Sequence, residues 1–332
     1  MVASADLTAL VIGAGVSGLT TAICLAEAGI PVRVLAAAPA AETTSAKAGA
    51  SWGPYLVSDA RILAWSTETR IALERIAQAD PSSGVHLVPG IEAAPVRMDP
   101  PDWAFSVRGF RPCTAEELPA GYLSGWEYTI PLADMPRYLA YLERRLAATG
   151  TTVEIGTVGS LDEVGRRASV VVNCAGLGAR ALVGDPDLYG TAGQVVIVAN
   201  PGIDHFFQDL TDGEDLTYFL PHADHVVLGG NAVPGSTQPA VDPDVAAAIV
   251  KRCGDVEPRL RDAPVLGHRA GLRPTRATVR LEYEPADGYA VVHNYGHGGA
   301  GLTLSWGCAR EVLALVSAKG SATGDGDGAP GD

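Results

Sequence analysis

The chain has 332 residues, 47% of them hydrophobic, enough to bury one large core or two interlocked ones. A formal charge of −14 argues against a nucleic-acid or anionic-membrane partner, and no run of about 20 apolar residues is free of charges or glycines, which excludes a transmembrane helix. Cys24, Cys113, Cys174, Cys253 and Cys308 are scattered and never form a Cys-x-x-Cys pair; with a start that enters a strand without a basic leader, this predicts a reduced, cytoplasmic setting and no structural zinc.

In chain order, residues 7–13 read as a buried strand, 16–28 as a helix closed by Gly29, and 32–36 as a second strand, an opening βαβ unit. Asp134 is placed to cap a helix carrying Leu139, Leu142 and Leu146 on one face and ending at Gly150. The strands expected at 152–155 and 170–173 should join the first sheet. Residues 194–199, 216–220 and 226–228 are short, turn-separated apolar runs, the last two joined by Pro221-His222-Ala223-Asp224, and they predict an antiparallel sheet. An apolar-periodic helix is expected from about Leu302 to Val316, and residues 318–332 read as a disordered tail. There are no internal repeats.

Gly13-Ala14-Gly15-Val16-Ser17-Gly18 lies between the first strand and the first helix. Its physics is that of a dinucleotide pyrophosphate at a helix N-terminus, with Gly13 for the tight turn, Gly15 for close phosphate approach and Gly18 for helix-on-strand packing. The motif alone does not separate NAD from FAD. The carboxylate expected to grip a ribose is missing, because Val34-Leu35-Ala36-Ala37-Ala38 closes the second strand and the first acid is Glu42. Ribose recognition falls to Arg33, Thr43, Thr44 or the backbone, and Arg33 keeps an NADP reading open. At the other end, His293-Asn294-Tyr295-Gly296-His297-Gly298-Gly299-Ala300-Gly301-Leu302-Thr303 lets the backbone approach a flat ligand and opens into a helix. Together the two stretches suggest one dinucleotide held from both ends of the chain. His293 and His297 stand four apart, but Gly296 and Gly298 disfavour a helix there and no third ligand is spaced to help, so no metal is expected.

Three further stretches join these: Ala48-Gly49-Ala50-Ser51-Trp52-Gly53-Pro54-Tyr55, Val170-Val171-Val172-Asn173-Cys174-Ala175-Gly176-Leu177-Gly178-Ala179 and Gly271-Leu272-Arg273-Pro274-Thr275-Arg276-Ala277-Thr278-Val279-Arg280-Leu281-Glu282. With Tyr218-Phe219-Leu220-Pro221, in order and spacing from residue 7 to about residue 317, the set closely resembles the D-amino-acid oxidase family of FAD flavoenzymes. The resemblance implies an α/β fold, a Rossmann-like FAD-binding domain (1–50, 130–185 and 267–317) with an inserted, mainly antiparallel α+β substrate domain (51–129 and 186–266). It implies oxidative deamination of D-amino acids to 2-oxo acids, ammonia and hydrogen peroxide, by hydride transfer from Cα to flavin N5 with molecular oxygen as acceptor. FAD should be non-covalent, as no histidine or cysteine stands in an attachment context. A related flavin oxidase of glycine or sarcosine, or a nicotinamide-dependent dehydrogenase sharing only the first motif, is the alternative, and a homodimer is left open.

By the same resemblance Arg280 clamps the substrate carboxylate, although Arg276 shares its strand face and spacing alone could not choose between them. Tyr218 offers its hydroxyl to that carboxylate and the Gly299 carbonyl takes the amine. Gly298, Gly299 and Gly301 should lie along the isoalloxazine, with Leu302, Thr303 and the helix N-terminus facing the flavin C2 carbonyl. Ala14, Val16, Ser17, Thr43, Thr44, Ser45, Gly49, Ala50, Ser51 and Gly176 complete the expected cofactor set. Gly53 departs from the glutamine of vertebrate members. Glu214 replaces a second tyrosine found over the site in some members, in a loop that also holds Asp209, Asp212 and Asp215. Residues 51–59, 203–219 and 226–238 are expected to line the pocket; they contain no Lys or Arg, and the middle segment has five carboxylates. Neutral D-amino acids should therefore be preferred, basic ones tolerated through the acidic loop, and acidic ones poor.

Overall fold

The computed structural model describes residues 7–54, 57–210 and 213–322. The chain opens with β1 (Ala9–Ile12), α1 (Val16–Glu27) and β2 (Val32–Ala36), followed by α2 (Ile62–Ala79), β3 (Val85–Ala94), β4 (Arg111–Pro112) and β5 (Ser124–Ala133). Next come α3 (Met135–Ala147), β6 (Val153–Ile155), α4 (Leu161–Gly165), β7 (Val170–Asn173) and α5 (Ala179–Val183). The strands β8 (Tyr189–Ala199), β9 (Phe206–Asp209), β10 (Asp215–Pro221), β11 (His225–Asn231) and β12 (Val233–Pro234) lead to α6 (Pro243–Val256). The long β13 (Val265–Ala286), β14 (Tyr289–His297) and α7 (Gly301–Ala322) complete the order.

Four parallel pairings build the cofactor half, in the order β14-β7-β1-β2-β6. All four residues of β1 are buried, as a central parallel strand covered on both faces requires. The helices α1, α3 and α7 supply the cover, and Leu19, Ile23, Leu139, Leu142, Leu146 and Val312 pack with Val11 and Val172 in one cluster. Asp134 stands at the N-cap of α3 as expected, but its carboxylate pairs with Arg137 Nε at 3.1 Å and makes no capping bond to a backbone N–H. α7 runs on to Ala322, so the start of the expected disordered tail is helical, and residues 323–332 lie outside the described chain.

The other half is the run β4-β5-β3-β9-β10-β11-β8-β13, joined to the first half through the antiparallel β13–β14 pair. Register partners share a face of a sheet. Ile91, Phe207, Phe219, Leu228 and Val196 follow one another across five strands and pack, Ile91 half-buried and the others buried, with Ile249 and Cys253 of α6. The preceding row, Glu92, Gln208, Tyr218, Gly229 and Val195, must therefore face the opposite way, toward the first half.

Candidate active site

A cavity of about 980 Å³ lies where the two halves meet. One end is lined by Ile12, Ala36, Gly156, Cys174 and His297, at or just beyond the C-terminal ends of all five parallel strands, the crevice in which open α/β sheets bind ligands. The other end is the Glu92–Gln208–Tyr218 row of the antiparallel half, with Arg273 of β13 beside it. Ligand pockets run to about 1,000 Å³, so this one suits a dinucleotide together with a second small molecule.

The parallel end fits FAD on the shape of its backbone. Gly13 has φ +108°, and a Cβ on it would overlap the Cys174 carbonyl oxygen, so only glycine serves. Gly13, Ala14, Gly15, Val16 and Ser17 line the cavity, whereas Gly18 does not: a Cβ there would overlap the Gly13 carbonyl, which is the helix-on-turn packing expected of it. The Ser45 hydroxyl accepts from the Val16 N–H at 3.0 Å and ties the loop holding Thr43 and Thr44 to the start of α1. Gly49, Ala50 and Ser51 continue that lining, Ala50 with a left-handed φ of +63°, and Gly176 lies across from them. Gly298, Gly299, Gly301 and Leu302 close the far side.

Two expectations for the cofactor end are corrected. Arg33 forms a two-pronged pair with Glu154 at 2.8 and 3.1 Å on the outer surface and is absent from the cavity wall, which removes the basis of the NADP reading. The wall beyond β2 is Leu35, Ala36, Ala37 and Ala38, so a ribose there meets Thr43, Thr44 or backbone groups. Thr303 does not face the cavity either. Its hydroxyl accepts from the Gly53 N–H at 3.0 Å and donates to the Gly53 carbonyl at 2.9 Å, which pins the 51–54 segment onto α7.

At the substrate end the expected clamp is also corrected. Arg280 does not line the cavity; it bonds Glu282 at 2.6 Å, the Tyr295 hydroxyl at 2.7 Å and Glu284 at 3.3 Å. Arg276 goes to Asp185 at 3.1 Å. Burial pushes the Asp185 carboxyl up, but hydrogen bonds from Tyr295 and the Asp187 N–H and the attraction of Arg276 hold it below the usual range. This network braces Tyr295, whose ring does line the cavity.

The arginine that enters the cavity is Arg273. Three positions before Arg276, it projects from the other face of β13. Its guanidinium covers Gly193, where a Cβ would overlap it, and Nη1 donates to the carbonyls of Asn231 (3.0 Å) and Ala192 (3.3 Å). Tyr218 lies on Gly229, again a place no Cβ could share, with its hydroxyl end over Gly229 and beside Gly230. Tyr218 and Arg273 thus line the cavity next to residues 229–231 of the same strand. Gly299 lines the same cavity and is exposed to it.

Beyond Tyr218 the row continues to Gln208, whose Oε1 accepts from the Ser51 hydroxyl, and then to Glu92. Glu92 is only 6% exposed, lines the cavity, and its Oε2 has no hydrogen-bond partner. Burial pushes its carboxyl up to about 7, against a smaller opposing effect of the neighbouring Tyr128 hydroxyl. Neither Arg273 nor Glu92 stands out in the sequence: Arg273 is one of four arginines on β13, and Glu92 follows Pro89 and Gly90, which break the alternation of its strand. The carboxylates of the loop are partly engaged, Asp209 by the Thr217 N–H at 3.1 Å and Tyr122 at 3.4 Å, and Asp215 by Arg252 at 3.3 Å; Asp212 lies outside the described residues.

A family model described as FAD dependent oxidoreductase (DAO) matches residues 8–315. The chain is 48% identical over 316 residues to a D-amino-acid oxidase of Rubrobacter xylanophilus, covering 93% of this chain and 96% of that one. It is 43% identical over 317 residues to a D-amino-acid oxidase of Streptomyces coelicolor, covering 94% and 97%. Among solved structures, glycine oxidase from Geobacillus kaustophilus superposes with a TM-score of 0.77 at 19% identity, over 94% of this chain and 95% of that one, a likeness of fold.

Proposed function

The chain belongs to the DAO family of FAD-dependent oxidoreductases, and from that premise we propose that it oxidatively deaminates D-amino acids to 2-oxo acids, ammonia and hydrogen peroxide. The observation that carries this reading is that Arg273, bonded to the Asn231 carbonyl, and Tyr218, seated on Gly229, line the same cavity as the Gly298 loop.

Arg273 presents a planar, permanently charged fork to the α-carboxylate, a geometry lysine cannot match. Its backbone bonds to Asn231 and Ala192 fix the plane of that fork before substrate arrives. The Tyr218 hydroxyl, held by the ring's seat on Gly229, donates a second bond to the same carboxylate. The Gly299 carbonyl is the acceptor for the α-amine, which orients Cα between clamp and glycine loop. FAD, when bound, accepts the two electrons removed from the substrate and passes them to molecular oxygen. Residues 51–129 and 186–266 then supply most of the substrate end, with Arg273 reaching in from the 267–317 segment. Oxidation of glycine or sarcosine is disfavoured by the room beyond Tyr218, where Gln208, Glu92 and Trp103 still line the cavity and a side chain can lie.

Peroxide release across a panel of D- and L-amino acids with glycine and sarcosine tests the reading. Turnover of D-amino acids with side chains is expected; turnover confined to glycine, sarcosine or L-enantiomers would overturn it.

A further inference from the structure

Glu92 is the buried carboxylate that the clamp does not use. It reaches the cavity from β3, two strands beyond Tyr218, with Gln208 between them on the same face. The clamp itself sits over β11, one strand further, because the Tyr218 ring leans onto Gly229 and Arg273 bonds the Asn231 carbonyl. From β11 to β3 is three strand spacings, about 14 Å. A substrate pinned by its carboxylate spans roughly 7 Å with a side chain of lysine length, Glu92 reaches roughly 4 Å from its own strand, and a hydrogen bond takes about 3 Å. These lengths close the gap, and a side chain two carbons shorter leaves it open.

Glu92 is 6% exposed in the cavity wall with its inner oxygen, Oε2, unpartnered, and a carboxylate so placed is costly unless a ligand cation compensates it. Its flanking partner on β5 is Trp126, on β9 Gln208, and its polar neighbour is Tyr128; none of them carries a positive charge. We propose that Glu92 is a specificity-determining residue that receives the terminal ammonium or guanidinium of a basic D-amino acid such as D-lysine or D-arginine. The Trp103 ring, which lines the cavity and packs edge-on against Tyr128 at 5.8 Å, adds an aromatic wall beside the cation's path. The inference rests on the D-amino-acid reading and names the substrate class that this cavity favours.

The test uses the FAD-loaded enzyme and two length-matched pairs at one alkaline pH, D-lysine against D-norleucine and D-2,4-diaminobutyrate against D-2-aminobutyrate. In the wild type the lysine-to-norleucine ratio of kcat/KM should exceed the shorter pair's ratio at least tenfold, because only the longer chain reaches Glu92. Glu92→Gln should lower the lysine-to-norleucine ratio by roughly tenfold to a hundredfold, the loss of one charge-assisted bond. A role confined to folding would lower both members together and leave the ratio unchanged, which would overturn the assignment. If Glu92→Gln does not fold, the wild-type length dependence decides alone, and equal ratios in the two pairs refute the proposal. A wild type that oxidises D-norleucine but shows no such dependence refutes the role of Glu92 only; one that oxidises no D-amino acid refutes the functional reading, and the proposal falls with it.

Discussion

Replacing Arg273 with Leu and, separately, Arg280 with Ala separates the clamp from the arginine that stands near it in the chain. Arg273 lines the cavity and holds its fork by bonds to the Asn231 and Ala192 carbonyls, so its loss leaves a desolvated substrate carboxylate with only the Tyr218 hydroxyl. Removing one partner of a buried, hydrogen-bonded charge pair costs about 2 to 5 kcal/mol, a fall in kcat/KM of roughly 30-fold to several-thousand-fold, carried mainly by KM. Arg280 loses pairs with Glu282 and Glu284, which are 55% and 56% exposed, each worth under about 1 kcal/mol, and a bond to the Tyr295 hydroxyl worth about 1 kcal/mol. Asp185 keeps Arg276 and Tyr295. Arg280→Ala should therefore lower the melting temperature by a few degrees and leave kcat/KM within about threefold. Steady-state peroxide release, flavin absorbance per chain and thermal melts read the three quantities. A folded, FAD-replete Arg280→Ala enzyme with lost turnover, beside an Arg273→Leu enzyme that retains it, would refute the assignment.

Glu92 should leave a signature in the pH dependence of stability. Its carboxyl has an ordinary value of 4.5 and is pushed up to about 7 by burial, so the folded chain keeps a proton that the unfolded chain has lost. Stability then falls as pH rises from about 4.5 through 7, by about 3 kcal/mol in all. His222 and His297, held down by burial at about 3 and about 4, act in the opposite sense, but they are common to wild type and Glu92→Gln and drop out of the difference. The Gln variant should gain about 4 °C on the wild type between pH 5 and pH 8, and parallel melting curves over that range would contradict the burial of an ionisable Glu92. Gly229→Ala places a methyl inside the Tyr218 ring, so kcat/KM should fall at least tenfold with FAD content preserved; wild-type kinetics would show that Tyr218 is not seated there in solution. Non-covalent FAD predicts that acid precipitation releases the yellow colour into the supernatant, and colour retained in the pellet would count against it.

The cofactor end was legible because its determinants are local. The Gly13–Gly18 spacing, an all-apolar strand before it and an amphipathic helix after it are all read within 30 residues, and β1, α1 and β2 fall within two residues of their expected bounds. α2, β3 and β5 were not read, although Trp65, Leu73 and Ile76 mark the buried face of α2, because Pro89 and Gly90 interrupt the alternation of β3. The clamp was misplaced for a physical reason. The resemblance carried the role to Arg280, and spacing could not check it, because β13 is 22 residues long, pairs with β8 in its first half and β14 in its second, and shifts register between Thr275 and Arg280. An arginine's role there depends on which neighbour it overhangs, and that is a property of β8.

The substrate end follows a rule that single segments cannot express. Each of the two clamp side chains is matched by a missing Cβ on another strand: Tyr218 of β10 by Gly229 of β11, and Arg273 of β13 by Gly193 of β8. Tyr218 and Gly229 are direct register partners, while Arg273 pairs with Thr191 and leans two residues along the strand to Gly193. The glycines create the space and the neighbouring strands decide what fills it, so the functional signal is a correlation between positions 11 and 80 residues apart. Glu92, like Gln208 beside it, has no such glycine opposite it, since its partners are Trp126 and Gln208. Its side chain enters the cavity wall without such a seat, which places a carboxylate at the far end of the substrate's reach and not beside the clamp.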